Sequence, residues 1–343
     1  MKRTTVVTGG AGLIGSALVW QLNREGVDDV VVVDRLGTSE KWRHLVPLRF
    51  ADYLDAEEFF PRIEREPDAF GEIATVFHLG ACSSTTERDA SYLIANNVRR
   101  SQEIARWAFA RGARFVYASS AATYGALESE MREDLDPHAL RPLNMYGYSK
   151  HLFDHWMRRE ELLERAVGLK YFNVYGPNED HKGEMRSVVA KAYEQIRARG
   201  TIELFKSYRN GIAHGEQTRD FLYVKDAVAI TTFLSRTPQA GGIYNVGSGA
   251  DRTWNALAIA VFNALGLPAR IEYIEMPHVL RGKYQYRTVA DVRKLQQAGW
   301  TRPMTALEDG VADYVRNYLV SGTVLGNESG SASSPAPTFS ATR

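Results

Sequence analysis

Tyr146 and Lys150 have the side-chain types and the spacing expected of a proton-transfer site. They are four positions apart in a stretch that is predicted to be helical, so both lie on one helix face. A nearby ammonium stabilises phenolate and lowers the pKa of the phenol, which makes tyrosine a usable base near neutral pH. Ser120, at the end of a predicted strand, could hold a substrate oxygen while the proton moves. The Tyr–Lys pair alone is weak evidence, because many solvated helices contain it.

A glycine-rich turn near the amino terminus supplies the second part of the pattern. Gly9, Gly12 and Gly15 follow a short β-branched run and precede a helical stretch. Glycines allow the backbone to approach a diphosphate, and the helix that follows directs its N–H groups and dipole toward that anion. A second β-branched strand ends in Asp34, where a carboxylate can reach a ribose hydroxyl. Together these features predict a dinucleotide-binding site.

The residues after Asp34 bear on which dinucleotide is bound. Asp34 alone favours an unphosphorylated ribose, because a carboxylate repels a 2′-phosphate. Arg35 and Lys41 could compensate with positive charge, and arginine can hold phosphate through two donors. We therefore expect tightly bound NADP, one per subunit, with NAD as the alternative.

The order of predicted elements indicates how these residues are positioned. Strands and helices alternate from residue 4 to about residue 175, which predicts an α/β fold with a Rossmann-type doubly wound parallel sheet. We assign residues 1–175 to a dinucleotide-binding domain that receives a later strand near residues 243–246. Residues 176–319 are assigned mainly to a smaller C-terminal substrate-binding lobe. Residues 320–343 are rich in small and polar residues and are predicted to be a disordered tail.

Composition excludes several classes of partner. The chain has 343 residues and a formal net charge of +1, which gives no reason to expect nucleic acid or an acidic membrane surface. Its one cysteine, Cys82, fits a reducing compartment, and no apolar run is long enough for a signal peptide or a membrane span. We therefore expect a cytoplasmic protein. His151 and His155 share a helix face but lack a third ligand, so we expect no metal.

Several longer stretches carry a family resemblance. They are residues 80–87 (GACSSTTE), 117–125 (YASSAATYG), 146–150 (YGYSK), 171–177 (YFNVYGP), 181–183 (HKG), 219–221 (RDF) and 282–285 (GKYQ). With the glycine turn, they resemble the extended short-chain dehydrogenases that act on nucleotide sugars. Within that family they are similar to the group that epimerises ADP-linked heptose, over about residues 3–318. The resemblance also suggests a homo-oligomer, specifically a homopentamer.

The resemblance implies a role for each matching position. Lys182 is implied to be a second base, beside Tyr146, Lys150 and Ser120. Cofactor contacts are implied at Leu13, Ile14, Asp34, Lys41, Leu79, Gly80, Ala81, Cys82, Ser83, Asn96, Lys150, Val174 and Lys182. Substrate contacts are implied at Ser120, Asn173, Glu184, Lys191, Phe205, Arg219 and Tyr284. Glu184 and Lys191 stand where the family commonly has serine and histidine, and Ala56 stands where it often has a lysine.

The implied activity interconverts the D-glycero and L-glycero forms of ADP-linked manno-heptose by transient oxidation at C6, for lipopolysaccharide inner-core synthesis. Other epimerases and 4,6-dehydratases of this fold are the alternatives. Dehydratases commonly carry Asp-Glu after the active hydroxyl residue, where this chain has Ala121 and Ala122. A non-catalytic dinucleotide sensor would usually have lost Tyr146 or Lys150, and both are present.

Overall fold

The computed structural model describes residues 3–129, 131–282 and 284–327. The strands, in chain order, are β1 (Thr4–Thr8), β2 (Val30–Asp34), β3 (Asp52–Asp55), β4 (Ile73–His78), β5 (Arg114–Ser120), β6 (Ala166–Tyr171), β7 (Asn173–Tyr175), β8 (Ile202–Phe205), β9 (Thr218–Tyr223), β10 (Gly242–Val246), β11 (Asp251–Thr253) and β12 (Ile271–Ile274).

The helices are α1 (Leu13–Arg24), α2 (Ala56–Arg65), α3 (Ala90–Leu93), α4 (Arg100–Ala110), α5 (Met145–Arg159), α6 (Val188–Arg199), α7 (Val224–Arg236), α8 (Trp254–Leu265), α9 (His278–Arg281), α10 (Arg293–Gln297) and α11 (Leu307–Tyr314). Short 3₁₀ turns cover Glu40–His44, Ala121–Tyr124, Pro137–Ala139, Leu163–Arg165 and Asp180–Met185, and π-helical segments cover Ile94–Arg99 and Val315–Leu319. Within these described residues, no helix combines the length and the apolarity needed to cross a bilayer.

Seven of the described strands form one parallel sheet in the order β10-β6-β5-β4-β1-β2-β3. The chain runs outward from β1 to β3 and then resumes at β4, on the other side of β1. In open α/β sheets, the crevice at the carboxyl ends of the strands beside such a reversal is where ligands bind. The predicted α/β fold with a doubly wound parallel sheet is confirmed.

Helices cover both faces of this sheet, which explains its apolar strands. Every residue of Val30–Asp34 is buried, as expected for a parallel strand covered on both sides. Leu18 of α1 and Val228 of α7 belong to the core on one face, whereas Phe59 of α2 and Ile104 of α4 belong to the core on the other.

The remaining strands form two small sheets outside the main one. β7 pairs parallel with β9, β9 pairs antiparallel with β11, and β8 pairs parallel with β12. β10 (Gly242–Val246), near the predicted returning strand, pairs with β6 at the edge of the main sheet. The division into domains at residue 175 stays a prediction.

The start of the predicted tail packs against the body of the protein. Leu325 is fully buried in the same core cluster as α1, and its backbone N–H donates to Asn178 Oδ1 at 3.0 Å. The prediction of a disordered tail is therefore wrong for residues 320–327. The prediction rests on the average composition of 24 residues (320–343), and that average does not reveal that a single leucine, Leu325, packs into an apolar site. Residues 328–343 lie outside the described part of the chain.

Candidate active site

In the glycine turn between β1 and α1, Gly9 and Gly15 have no room for a side chain. Gly9 has a φ of +69°, and a Cβ on it would lie 2.7 Å from the backbone nitrogen of Gly80, just past β4. A Cβ on Gly15 would collide with the carbonyl oxygen of Gly9. Gly12 is the N-cap of α1, so the positive end of the helix dipole faces the turn. The turn therefore fits the diphosphate of a dinucleotide, as the sequence predicts.

Asp34 joins the end of β2 to this turn. Its Oδ2 accepts a hydrogen bond from the backbone N–H of Ala11 at 2.8 Å. Its Oδ1 accepts from Lys41 Nζ at 2.6 Å, and this ion pair is mostly buried. The charge of Lys41 thus offsets that of Asp34. We call residues 8–15, 34–41 and 78–83 the cofactor edge of the sheet.

A cavity of about 230 Å³ lies at the β2 side of the cofactor edge. Arg35 lines it and donates to Asn96 Oδ1 at 2.8 Å and to Glu57 Oε1 at 2.9 Å. The phosphate-binding role predicted for Arg35 would therefore compete with Glu57. The cavity is lined by Thr8, Gly9, Val33, Asp34, Arg35, Lys41, Ala56, Phe60, His78, Gly80, Ala81, Cys82, Tyr92, Asn96 and Arg100.

A second cavity, of about 310 Å³, brings the four predicted catalytic residues to the glycine turn. It shares Gly9, Asp34, Lys41, Gly80 and Ala81 with the first cavity. It is lined by Gly9, Gly12, Leu13, Ile14, Gly15, Asp34, Lys41, Leu79, Gly80, Ala81, Ser83, Ala118, Ser119, Ser120, Tyr146, Lys150, Tyr171, Phe172, Val174, His181 and Lys182. We call it the catalytic cavity.

Tyr146 stands at the start of α5, whose N-cap residue Asn144 accepts a hydrogen bond from Gly147 N–H at 2.8 Å. Burial raises the pKa of the Tyr146 phenol, and a hydrogen bond with the Ser120 hydroxyl opposes this increase. The sequence analysis expected the opposite direction, a pKa lowered by Lys150, and that expectation is wrong for this structure. Removal of the phenolate from water outweighs the stabilisation by its neighbours.

Lys150 is buried one helical turn further along α5 and donates from Nζ to the carbonyl oxygen of Ala118 at 2.8 Å. Burial lowers the pKa of its ammonium to about 8, and the nearby Asp154 carboxylate opposes this shift. Asp154 itself accepts hydrogen bonds from Tyr117 at 3.0 Å and Ser119 at 2.7 Å. Lys150 is thus a cation that can lose its proton near neutral pH.

Lys182 enters the catalytic cavity from the turn Asp180–Met185, far from α5 in sequence. Its backbone N–H donates to the carbonyl oxygen of Glu179 at 3.0 Å. Burial lowers the pKa of its ammonium, while the buried Glu179 carboxylate opposes that shift. The direction is the one that a lysine acting as a base requires.

Three aromatic and cationic groups outside the cavity form what we call the Arg219 cluster: Arg219, Trp254 and Tyr284. The guanidinium carbon of Arg219 lies 5.0 Å from the Tyr284 ring and 5.6 Å from the Trp254 ring. Trp254 Nε1 donates to the Tyr284 hydroxyl at 2.9 Å. Two of these residues were predicted substrate contacts, whereas the sequence analysis missed Trp254.

The other predicted substrate residues are dispersed. Asn173 is exposed at the start of β7 and pairs in register with Phe221 of β9. Phe205 ends β8, and its carbonyl oxygen lies 3.5 Å from Gln217 Nε2. Glu184 and Lys191 form an ion pair at 3.1 Å near the Lys182 turn. None of these four side chains lines the catalytic cavity.

Several cavity residues were not assigned a role by sequence reasoning. Ala118 and Ser119 directly precede Ser120 on β5, Tyr171 is the last residue of β6, and Phe172 directly follows it. The signal that could have found them is their place at the carboxyl ends of two neighbouring parallel strands. His181 also lines the cavity, and its neighbour Lys182 was the only member of that turn given a catalytic role.

Comparisons with known proteins agree with this geometry. The family model described as "NAD dependent epimerase/dehydratase family" matches residues 5–247. A protein of Nitratidesulfovibrio vulgaris named ADP-L-glycero-D-manno-heptose-6-epimerase is 52% identical over 316 residues, covering 92% of this chain and 97% of that one.

Solved structures of epimerases have the same fold as this chain. The crystal structure of Helicobacter pylori ADP-L-glycero-D-manno-heptose-6-epimerase has a TM-score of 0.76 and 27% identity, covering 92% of this chain and 95% of that one. Thermus thermophilus UDP-glucose 4-epimerase in complex with NAD has a TM-score of 0.71 and 27% identity, covering 92% and 99%. These matches show that the chain, with its glycine turn and its catalytic cavity, belongs to the NAD dependent epimerase/dehydratase family, within the group of ADP-L-glycero-D-manno-heptose-6-epimerases.

Proposed function

We propose that this isomerase interconverts ADP-D-glycero-D-manno-heptose and ADP-L-glycero-D-manno-heptose by transient oxidation at C6. The observation that carries the proposal is the catalytic cavity, which joins Ser120, Tyr146, Lys150 and Lys182 to the glycine turn. The names of its relatives supply the substrate class. The product would serve lipopolysaccharide inner-core synthesis in the cytoplasm.

The chemistry follows from the substrate. The hydrogen on an exocyclic carbinol carbon is not acidic, so a base alone cannot invert that centre. When bound, the nicotinamide dinucleotide supplies a reversible acceptor for the hydride. Tyr146 takes the proton of the C6 hydroxyl, and Ser120 holds its oxygen by a hydrogen bond. The positive charge of Lys150 partly offsets the effect of burial on the Tyr146 phenolate.

Lys182 provides the second acid–base group. Reduction from the opposite face requires the ketone to turn, and its oxygen then lies in another part of the cavity. Lys182 lines the cavity from a different element than Tyr146, and burial lowers the pKa of its ammonium. Each of the two residues would therefore serve one epimer. The alternative is that Lys182 contacts a phosphate of substrate or cofactor.

We assign NADP rather than NAD as the cofactor. The ion pair with Lys41 offsets the repulsion between Asp34 and a 2′-phosphate. Arg35 lies at the same strand end, with its guanidinium partly exposed, and could exchange Glu57 for phosphate. NAD, which the Thermus thermophilus relative binds, is the alternative.

The substrate side of the proposal rests on the resemblance. Asn173, Phe205, Arg219 and Tyr284 would contact the nucleotide sugar, with Glu184 and Lys191 near the Lys182 turn. The side chains of the Arg219 cluster offer a cation and aromatic rings, which suit a nucleotide diphosphate. We also propose a homo-oligomer, which sedimentation analysis of the holoenzyme would test.

Interconversion of the two purified ADP-heptose epimers tests the proposal directly. We expect either epimer to yield the same equilibrium mixture without added cofactor, and denaturation of the enzyme to release NADP. A product that has lost water would instead indicate a 4,6-dehydratase. Release of NAD alone would contradict the cofactor assignment only.

Lys182→Met separates its two candidate roles. A second base predicts that epimerisation fails at saturating substrate while substrate affinity changes little. A phosphate contact predicts weaker binding and recovery of turnover at high substrate concentration. Recovery would show that the two-base mechanism is wrong for this protein.

A further inference from the structure

One buried histidine connects the cofactor edge to the turn that carries Lys182. His44 is completely buried at the end of the turn Glu40–His44. Its Nδ1 lies 2.8 Å from the carbonyl oxygen of Ala11, inside the glycine turn. Its Nε2 lies 2.6 Å from Asp180 Oδ1, 136 positions later in the chain.

The partners determine which hydrogens the ring carries. A carbonyl oxygen only accepts hydrogen bonds, so Nδ1 must carry a hydrogen. The Asp180 side chain is 58% exposed, so its carboxyl group is ionised at neutral pH and also only accepts. Both nitrogens therefore carry hydrogens, and His44 is an imidazolium. Asp180 and His181 face the ring from the other turn.

A metal ion between these groups is the competing explanation. Nitrogen and oxygen atoms of His44, Asp180 and His181 lie within 4.8 Å of one another, and His181 Nδ1 is buried without a partner in the described structure. Ligands about 2 Å from a zinc ion in tetrahedral geometry are roughly 3 Å or more apart. The 2.6 Å between Nε2 and Oδ1 is instead a charge-assisted hydrogen bond.

The charge and the two contacts have distinct consequences. A buried positive charge beneath Ala11 adds to the dipole of α1, which favours an anion in the glycine turn. The bond to Asp180 fixes the residue two positions before Lys182, and His181 between them packs edge-on against His44 with ring centroids 5.3 Å apart. One side chain thus supports two walls of the catalytic cavity.

We propose that His44 is a positioning residue whose imidazolium couples retention of the dinucleotide to the placement of Lys182. In assigning a role to Lys182, this inference rests on the proposed function. Retention of the dinucleotide and the protonation of His44 can both be measured without any sugar substrate. Failure of the inference and failure of the proposed function are therefore distinguishable.

Nitrogen NMR of the wild-type holoenzyme at neutral pH tests the charge. We expect both ring nitrogens of His44 to carry hydrogens. His78 is the reference, since it is buried between the Thr8 and Ser101 hydroxyls and burial lowers its pKa to about 3. His78 should show one ring nitrogen without a hydrogen. A bare nitrogen on His44, or a shift of its signals on chelation of metals, would overturn the proposal.

Two substitutions test the coupling. In purified holoenzyme, His44→Gln and Asp180→Asn should each release the dinucleotide about tenfold faster or more, and should lower kcat. The double variant should release the dinucleotide no faster than the faster of the two single variants, because both substitutions remove the same contact between His44 and Asp180. His138→Gln, in the exposed turn Pro137–Ala139, is the control. Additive effects of the two substitutions on the rate of dinucleotide release would overturn the coupling. So would release at the wild-type rate from Asp180→Asn, a variant that should fold normally because the Asp180 side chain is exposed.

Discussion

At the cofactor edge, backbone and side-chain groups from three strand ends come together, and the contacts between them are short. The Lys41–Asp34 and Ala11–Asp34 hydrogen bonds are 2.6 and 2.8 Å long, and Gly9 approaches Gly80 too closely for a Cβ. The Arg219 cluster is assembled from β9, α8 and a late loop, and it lies outside the catalytic cavity. The comparison shows that the cofactor edge is built from neighbouring strand ends of one sheet, whereas the proposed substrate contacts of the Arg219 cluster come from segments far apart in the chain.

Tyr146→Phe should have the largest effect, since it removes the proposed proton acceptor of the catalytic cavity, next to the cofactor edge, and keeps the ring. We expect turnover to fall by about 10²–10⁴-fold, with folding and cofactor content unchanged. Tyr148→Phe, on the same helix but 45% exposed, is the matched control and should have wild-type turnover. Near-normal turnover of Tyr146→Phe in an epimerisation assay would show that Tyr146 is not the base.

His78, at the end of β4, tests how strongly burial at the cofactor edge disfavours a charged side chain. Burial lowers its pKa to about 3 from an ordinary 6.5, so the unfolded chain binds a proton that the folded chain does not. Its contribution to stability is present above pH 6.5 and is lost as the pH falls toward 3, by a few kcal/mol in all.

His78→Gln should therefore weaken the dependence of unfolding free energy on pH between 6.5 and 3, with no change of slope above pH 7. Denaturant unfolding at a series of pH values gives both slopes. An unchanged slope in the acid range would show that His78 does not carry this dependence.

Arg219→Met tests the other side of the comparison. Loss of a charged hydrogen-bond donor is expected to raise KM for the nucleotide sugar about ten- to a hundredfold, with the dinucleotide retained. Arg24→Met is the control, because Arg24 also lies over an aromatic ring, that of Trp20 at 4.7 Å. Loss of the dinucleotide from the Arg219 variant would mean that the two regions are not separate.

Leu325→Ala should have the smallest effect and no effect on chemistry. Burial of a leucine contributes about 2 kcal/mol, so we expect a correspondingly lower free energy of unfolding. A chain ending at residue 319 should lose the same amount, relative to one ending at residue 327. Equal stability of the two truncated chains would mean that Leu325 adds nothing in solution.

How much the sequence predicts differs between the two regions for a physical reason. The glycine spacing, the strand ending in Asp34 and the i, i+4 pair on α5 are local patterns, and their geometry follows from backbone sterics and helical periodicity. Trp254 beside Arg219 and Asp180 beside His44 meet only through tertiary packing, which no spacing encodes. The direction of the Tyr146 pKa shift depends on burial, so it too could not be taken from spacing.

The most direct test of the central claim uses ADP-heptose deuterated at C6. In the proposed mechanism one dinucleotide is bound beside two acid–base residues of the cavity, Tyr146 and Lys182, so the hydrogen removed from C6 should return to the same carbon from the other face. We predict that the epimerised product, formed in ordinary water by the holoenzyme, keeps its deuterium at C6. Replacement of that deuterium by solvent hydrogen at the rate of epimerisation would contradict transient oxidation and the account built on it.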